Sequence, residues 1–267
     1  MRGGRKARVA IVTGGLSGIG HAVAMELARS GHRVSVGARD VTSAPRQAAL
    51  AVLAQAADAH GGAVDAGVLD LRDDASVAAF VKRTEDRFGA ADILVNAAGI
   101  TAEHPVTGHP DALWTDVIDT NLTGAFRMIR ATLPSMMARG WGRIINIGST
   151  AASVGAADNP AYCASKAGLL GLTRCVALEG AASGVSCVMV SPTWVDTPMM
   201  DADLAQIVAR EGCGRSIAEA RAAIAAENPQ RRIIQPAEVA AVVGFLAGDA
   251  VPGLTMEDIR ITGGALW

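Results

Sequence analysis

Residues 9–20 read VAIVTGGLSGIG, and they predict how the rest of the chain is built. The first five residues form a short uninterrupted apolar run, which is typical of a parallel strand buried on both faces. Gly14, Gly18 and Gly20 follow and lead into a helical pattern. Glycines let a backbone turn tightly and approach a pyrophosphate, which binds to the N–H groups at the positive end of the helix. We therefore predict that this turn binds the phosphates of a nucleotide.

The rest of the sequence alternates between apolar runs and helical patterns, which favours an α/β fold with a parallel sheet. The predicted strands are residues 9–13, 33–37, 63–69, 91–95, 143–149, 185–191 and 259–261. The predicted helices are residues 21–30, 41–60, 74–88, 111–139, 160–179, 201–228 and 236–246. This order predicts a Rossmann-like, doubly wound, seven-stranded sheet. No repeat or linker divides the chain, so we expect a single domain over residues 1–267.

Composition and charge exclude several classes of protein. The formal net charge of −2, with no basic patch among aromatic residues, argues against a nucleic-acid partner. The cysteines lack metal-ligand spacing and the five histidines do not cluster with them, so no metal site is predicted. The cysteines are Cys163, Cys175, Cys187 and Cys213. The basic residues 1–6 precede a short strand rather than the apolar region of a signal peptide, and no apolar stretch approaches the ~20 residues that span a bilayer. We expect a soluble, cytoplasmic protein with no membrane partner.

Tyr162 and Lys166 stand out because the chain has one tyrosine and only three lysines. In a helix, residues four apart lie on one face, which places the phenol beside the ammonium. An ammonium there favours the phenolate, so we expect Lys166 to lower the pKa of Tyr162 toward the range useful for proton transfer. Ser149 ends a predicted strand, where open α/β sheets bind ligands, and could hold a substrate carbonyl toward the tyrosine. Taken alone, the Tyr-x-x-x-Lys pattern is weak, and solvated surface residues explain it equally well.

The motifs upstream change that balance, because together they resemble the short-chain dehydrogenase/reductase family in its single-domain form. The resemblance covers nearly the whole chain and rests on Thr13-Gly-x-x-x-Gly18-Ile-Gly20, Asn96-Ala-Ala-Gly99, Asn121, Ser149 and Tyr162-x-x-x-Lys166. It implies hydride transfer between a nicotinamide cofactor and a ketone or secondary alcohol, with Tyr162 as general acid/base. It also implies that Asn121 binds a water that links Lys166 to solvent. Similarity to 3-oxoacyl-carrier-protein reductases and polyketide ketoreductases extends to stretches too widely shared to identify a substrate.

The same resemblance assigns residues to the dinucleotide. The implied cofactor-binding residues are Gly14, Ser17, Gly18, Ile19, Gly20, Arg39, Asp70, Leu71, Asn96, Ala97, Gly99, Tyr162, Lys166, Pro192, Val195 and Thr197. Asp70 would border the adenine ring, although an Asp that opens the loop before the next helix is nearly as good an interpretation. Relatives usually have glycine after Pro192, where this chain has Thr193. A positive φ at that position would strain the threonine.

Residues 38–40 bear on the choice of cofactor. At the end of the second strand, where NAD-selecting members carry an acid, this chain has Ala38. Arg39 follows at the place where NADP-using members commonly have arginine, whose planar fork of donors suits a 2′-phosphate. Asp40 leaves NAD open, because a shift of one residue would reverse the assignment. We expect NADP(H) to be favoured, with NAD(H) possible.

Two helical regions carry further expectations. In helix 111–139, the stretch from Asn121 to Gly124 predicts a kink, and Pro134 predicts a second interruption. The region near Asn121 and helix 160–179 resemble the pair of helices that packs dimers in the family, which implies a homo-oligomer, by family expectation a tetramer.

Helix 201–228 is interrupted at Gly212 and Gly214. By resemblance, residues of about 197–230 form a small helical lid. Trp194, Met199 and Met200 are expected to line the substrate pocket.

We therefore predict an NAD(P)H-dependent oxidoreductase that interconverts a ketone, such as one of 3-oxoacyl or polyketide type, and a secondary alcohol. One alternative is an NAD-dependent dehydrogenase that oxidises a secondary alcohol. An alternative from another class is a sensor that binds a dinucleotide without turnover. Such a sensor need not keep Ser149, Tyr162 and Lys166, and this chain has all three.

Overall fold

The structure is a computed structural model that describes residues 7–212 and 214–265. The basic residues 1–6 and Cys213 lie outside the described residues. The described strands are β1 (Val9–Thr13), β2 (Arg33–Ala38), β3 (Ala63–Val68), β4 (Ile93–Asn96), β5 (Gly142–Ile147), β6 (Val185–Pro192) and β7 (Asp258–Ile261). The described helices are α1 (Gly18–Arg29), α2 (Ala44–Asp58), α3 (Asp74–Phe88), α4 (Asp111–Ile118), α5 (Gly124–Ala138), α6 (Pro160–Ala181), α7 (Pro198–Glu211), α8 (Ile217–Glu227) and α9 (Pro236–Leu246).

All the strands pair in parallel in one sheet, in the order β3-β2-β1-β4-β5-β6-β7. The predicted doubly wound, seven-stranded sheet is therefore confirmed. The strand order reverses between β1 and β4, and such a switch point opens a crevice at the carboxyl ends of the strands. The glycine-rich turn after β1 lies at this edge of the sheet.

The central strand shows why these runs are apolar throughout. In β1, Ala10 and Val12 pack into a core cluster with α1 and α9. Ile11 points to the opposite face and packs with residues of α3, α5 and α6. Successive side chains of a strand alternate between faces, so a strand with helices on both sides needs an apolar residue at every position.

Several boundaries differ from the predicted ones, and three of them bear on the site. Helix α1 begins at Gly18 rather than residue 21, so the last two glycines of the motif lie in its first turn. Helix α2 begins at Ala44 rather than residue 41. The backbone before it forms a turn in which the Asp40 carboxylate accepts the N–H groups of Thr42 and Ser43. Strand β4 lies about two residues later than predicted, at Ile93–Asn96.

The predicted kink near Asn121 is a π-helical turn, Asp119–Thr123, between α4 and α5. π-Helical turns are rare inside α-helices and are frequent at functional sites. The predicted interruption at Pro134 is wrong, because α5 continues through it to Ala138. Apolar residues on both sides of Pro134, including Ile129 and Met136, are buried against the sheet, and this packing keeps the helix intact.

The region predicted to form a lid contains α7 and α8. Thr197 caps α7 by accepting the N–H of Met200, and Gly212 ends the helix in the left-handed conformation at φ 61°. Ser216 and Glu219 form a capping box at the start of α8. Within the described ranges, no helix is both long and apolar enough to cross a membrane.

Candidate active site

A cavity of about 410 Å³ opens at the carboxyl edge of the sheet. The residues predicted from the sequence that line it are Gly14, Ser17, Gly18, Ile19, Gly20, Arg39, Asp70, Leu71, Ala97, Gly99, Ser149, Tyr162, Lys166, Pro192, Val195 and Thr197. The structure therefore brings residues from distant parts of the chain to one site, whose volume is ordinary for a cofactor and a small substrate.

The glycine-rich turn has the shape of a cradle for an anion. Gly14 has φ +69°, and a Cβ on Gly20 would lie 2.4 Å from the Gly14 carbonyl oxygen, so neither position accepts another residue without rearrangement. Ser17 precedes α1 without capping it through its side chain, and the first turn of α1 contains no acidic residue. The N–H groups and positive dipole end of α1 thus remain available for a phosphate. This arrangement fits the dinucleotide predicted from the motif.

At the far end of the cavity, Arg39 is exposed, and no hydrogen bond or ion pair occupies its guanidinium within the described part of the chain. Asp40 does not line the cavity, because its carboxylate accepts hydrogen bonds within its own turn. These hydrogen bonds, the largest from Ser43, hold the pKa of Asp40 well below its ordinary value. Arg46 on α2 lies beside the cavity and donates to the Leu16 carbonyl oxygen at 2.9 Å. No motif in the sequence marks Arg46, since its position depends on where α2 begins.

Asp70 lines the cavity but is already paired. Its carboxylate accepts two hydrogen bonds from the Arg72 guanidinium, at 3.0 and 2.9 Å. This pairing lowers the pKa of Asp70 to about 2. Asp70 thus organises the loop before α3, as one of the two interpretations expects, and its contact with an adenine ring stays a prediction.

Ser149, Tyr162 and Lys166 meet in the middle of the cavity. Ser149 follows β5 and accepts the N–H of Ala151 at 3.1 Å, which orients its side chain. Ser149 acts on the Tyr162 phenol as a hydrogen-bonding neighbour that lowers its pKa. Lys166 lies one turn further along α6, with its Nζ 5.5 Å from the centre of the Tyr162 ring. The buried ammonium donates to the Ile147 carbonyl oxygen at 2.8 Å.

The expectation that Lys166 lowers the pKa of Tyr162 is wrong for this structure. Burial raises the pKa of Tyr162 to about 12, and hydrogen bonding with Ser149 opposes that rise only in part. Burial also lowers the pKa of Lys166 to about 8. Removing either group from water disfavours its charged form, and this effect outweighs the attraction between the two charges. The phenol is therefore neutral at pH 7.

Asn121 lies in the π-helical turn, next to but not lining the cavity. Its side chain bridges two elements: Oδ1 accepts the Ile100 N–H at 2.8 Å, while Nδ2 donates to the Ile100 carbonyl and to Ser165 Oγ. A Cβ on Gly99 would lie 3.3 Å from Asn121 Oδ1 and 3.8 Å from Lys166 Nζ. Asn121 and Lys166 thus approach each other on either side of a position that only glycine fits comfortably.

Asn96 differs from its predicted role. It does not line the cavity, because its side chain lies within the sheet and donates to Asn146 Oδ1 at 2.8 Å. Asn96 ends β4 opposite Asn146 of β5, so the two side chains lie on the same face of the sheet, where their amide groups meet. The residues after it, Ala97 and Gly99, do reach the cavity.

The substrate end of the cavity is formed by the start of the predicted lid. Trp194, Met199 and Met200 line it as expected. Thr193 carries no positive φ, and its N–H donates to the Ile261 carbonyl oxygen at 3.1 Å. The concern about strain at this threonine is therefore removed, because the backbone here continues the pairing of β6 with β7. The structure adds Asp203, a buried carboxyl group of α7 that the sequence did not single out.

The phosphate turn and the predicted lid touch each other. A Cβ on Gly18 would lie 3.4 Å from Thr197 Cγ2, so the start of α1 and the cap of α7 are in van der Waals reach. Among the residues that the structure describes, no group of His, Cys, Asp or Glu side chains has the arrangement of a metal site.

Comparison with known proteins gives consistent matches over the whole length. A family model described as short chain dehydrogenase matches residues 8–207. A Streptomyces virginiae protein named as a ketoacyl reductase of the monensin polyketide synthase is 40% identical over 263 residues, which cover 96% of each chain. The 3-oxoacyl-[acyl-carrier-protein] reductase FabG of Pseudomonas aeruginosa is 37% identical over 258 residues, again with 96% of each chain covered.

Solved structures give the same result. A variant of actinorhodin polyketide ketoreductase crystallised with NADPH superposes with a TM-score of 0.88 at 35% identity and covers 97% of both chains. Levodione reductase superposes with a TM-score of 0.89 at 32% identity, with 96% of both chains covered.

Proposed function

The chain belongs to the short-chain dehydrogenase/reductase family of NAD(P)-dependent oxidoreductases that act on CH–OH groups, and on this premise we propose that it reduces a ketone with NADPH. The observation that carries the proposal is that Ser149, Tyr162 and Lys166 line one cavity, with Lys166 Nζ 5.5 Å from the centre of the Tyr162 ring. A bound substrate carbonyl would take its place between the serine hydroxyl and the phenol.

NADPH, when bound, supplies the hydride for the carbonyl carbon. The work of the chain is to position the ketone and to move a proton. Ser149 donates a hydrogen bond to the carbonyl oxygen, and Tyr162 gives that oxygen its phenol proton. Burial raises the pKa of Tyr162 to about 12, so the phenol holds its proton until negative charge develops on the substrate oxygen.

Lys166 and Asn121 act behind the tyrosine. The Lys166 ammonium stabilises the phenolate that remains after proton transfer, and it is near enough to the cavity to hold the ribose hydroxyls of the cofactor. Asn121 anchors the Ile100 backbone beside Lys166, which supports the proposed water link for replacing the proton. These four residues are the proposed catalytic set.

We propose NADPH rather than NADH because two guanidinium groups border the adenosine end of the cavity. Arg39 is free to bind a 2′-phosphate, and Arg46 adds positive charge nearby. Asp40, which would have favoured a ribose 2′-hydroxyl, is committed to its own turn. The solved relative that was crystallised with NADPH supports the same choice.

For the substrate, we propose a small or medium ketone of 3-oxoacyl or polyketide type. The support is similarity to a polyketide synthase ketoacyl reductase and to a 3-oxoacyl-carrier-protein reductase. The apolar wall of Trp194, Met199 and Met200 suits the carbon skeleton of such a ketone.

We further propose that residues 1–267 act as one catalytic domain in the cytoplasm, with residues of about 197–230 as its lid. A homo-oligomer, with four copies by family resemblance, completes the proposal. Phe126 on α5 and Leu178 on α6 are exposed apolar residues that a second copy could cover.

The test is the affinity of the purified protein for NADPH and NADH, measured side by side by fluorescence titration, followed by assays on 3-oxoacyl thioesters and simple ketones. We expect tighter binding of NADPH, and loss of that preference in Arg39→Ala. Arg33→Ala is the matched control, because Arg33 is an exposed arginine at the opposite end of β2. Preference for NADH would favour an alcohol dehydrogenase, whereas binding without turnover of any carbonyl or alcohol would favour a sensor.

A further inference from the structure

Asp203 is a buried carboxyl group without a partner at the substrate end of the cavity. It lies on α7, is only 8% exposed and lines the cavity. Its Oδ1 accepts no hydrogen bond from any described residue. Burying a polar group without a partner costs free energy, and folded proteins satisfy nearly all such groups. The proposed proton transfer does not use this oxygen, and because the residue lines the cavity, a bound ligand that reaches the carboxyl group would supply the missing partner.

The position of Asp203 connects it to the reacting group. After burial, negative charge on Asp203 is one of the causes that raise the pKa of Tyr162, which places the carboxyl within electrostatic reach of the phenol. Met199 and Met200 border the same end of the cavity. A molecule whose carbonyl lies at Tyr162 would therefore have Met199, Met200 and the Asp203 carboxyl group in the same cavity.

None of the described charged neighbours forms an ion pair with Asp203, so its carboxyl group is available to a ligand. Glu103, in the loop after β4, faces it, and burial together with the Glu103 charge raises the pKa of Asp203 to about 7. Arg210, also on α7, is held by other acids, at 3.1 Å from Glu103 and 3.4 Å from Asp158. No ion pair within the described residues involves Asp203 itself.

We propose that Asp203 is a specificity-determining residue whose free oxygen binds a hydroxyl group that the substrate carries near the carbonyl to be reduced. The inference rests on the proposed function and narrows its substrate class to hydroxyketones. It is carried by the unpartnered buried oxygen and by its place in the same cavity as Tyr162.

A hydroxyl group suits this site better than other polar groups. It donates a hydrogen bond to a carboxylate and accepts one from a neutral carboxyl, so it matches both forms that coexist near neutral pH. A second carbonyl oxygen can only accept, and it would be repelled by the ionised form. An ammonium can only donate, and it would lose most of its attraction to the neutral form.

The experiment compares binding of cyclohexanol with that of cyclohexane-1,2-, 1,3- and 1,4-diol, by titration in saturating NADP⁺. We expect at least one diol to bind the wild type about tenfold or more tightly than cyclohexanol. This advantage should fall below about twofold in Asp203→Leu and Asp203→Ala, and should be kept in part by Asp203→Asn. Asp201→Asn, an exposed acid on the same helix, is the matched control and should keep the whole advantage.

Asp203→Leu and Asp203→Ala are both used, so that if one variant fails to fold, the other still tests the inference. An advantage that survives removal of the carboxyl, or a wild type that binds every diol no better than cyclohexanol, would overturn the inference. The matching ketones are then assayed with NADPH. If ketones are reduced but a hydroxyl group does not improve binding, only the inference about Asp203 is wrong. If a diol binds more tightly through Asp203 but no ketone is reduced, only the proposed function is wrong.

Discussion

The Lys166 ammonium lies 5.5 Å from the centre of the Tyr162 ring, but it donates its hydrogen bond to the Ile147 carbonyl oxygen at 2.8 Å. The lysine is thus held at the end of β5 and makes no hydrogen bond to the phenol oxygen. Because of this, burial rather than the neighbouring charge dominates the pKa of Tyr162. The two side chains lie on the same face of α6, but no hydrogen bond joins them.

The first prediction follows from the single tyrosine in the chain. The folded protein without cofactor should show no phenolate absorbance up to pH 10, because burial raises the pKa of Tyr162 to about 12. The same protein unfolded in urea should titrate near pH ~10. Ultraviolet difference spectroscopy measures both, with Tyr162→Phe as the blank. A phenolate signal from the folded protein between pH 7 and 9 would contradict the burial argument.

The second prediction concerns turnover. Tyr162→Phe removes the proton donor and should lower kcat for ketone reduction by about 10²–10⁴-fold, the usual contribution of a positioned general acid. The affinity for NADPH should change little, since the glycine cradle and Arg39 are untouched. Steady-state kinetics and cofactor titration separate the two effects. Turnover equal to the wild type would show that another group supplies the proton.

The third prediction concerns pH dependence through Lys166. Burial lowers the pKa of its ammonium to about 8, so the positive charge is present below that pH and is lost as the pH rises through it. We expect kcat/KM for NADPH, which reports ionisations of the free enzyme, to decline above about pH 8. In Lys166→Arg the charge persists, and whatever activity remains should lack this decline. If kcat/KM of the wild type stayed constant up to pH 10, loss of the Lys166 charge would not control cofactor use.

The fourth prediction concerns stability. Burial raises the pKa of Asp203 from 3.8 to about 7, so the folded state binds more protons than the unfolded state between those values, and stability falls as the pH rises through that window. Asp203→Asn mimics the neutral carboxyl and should raise the free energy of unfolding by roughly 4 kcal/mol at pH 8 but only about 1.5 kcal/mol at pH 5.

Urea unfolding at the two pH values measures this difference. Asp201→Asn removes an exposed acid from the same helix and should change the free energy of unfolding by less than about 1 kcal/mol at both. An Asp203→Asn gain that is equal at pH 5 and pH 8 would mean that the carboxyl does not titrate in this range.

The sheet and many of the residues that line the cavity could be predicted because local patterns specify them, whereas their catalytic roles stay predictions. Fully apolar runs indicate strands covered on both faces, and the glycine spacing indicates the phosphate turn, so Gly14, Ser149 and Tyr162 were found from sequence alone. Helix ends were less accurate where a side chain intervened, as at Asp40, whose hydrogen bonds delay the start of α2.

What could not be predicted depends on distant packing. Pro134 ordinarily disrupts a helix, but burial of its neighbours against the sheet outweighs the lost hydrogen bond. The pKa of Tyr162 depends on how deeply the lid and the loop after β4 cover it. Asp203 and Arg46 reach the cavity only through the path of α7 and α2, and nothing in their local sequence marks them.

The contact between Gly18 and Thr197 has a consequence for the shape of the cavity. One residue begins the helix that receives the phosphates, and the other caps the helix that covers the substrate. A dinucleotide bound between Gly18 and Thr197 would contact the start of α1 and the start of α7 together. A bound cofactor would then help to set the shape of the part of the cavity that the ketone enters.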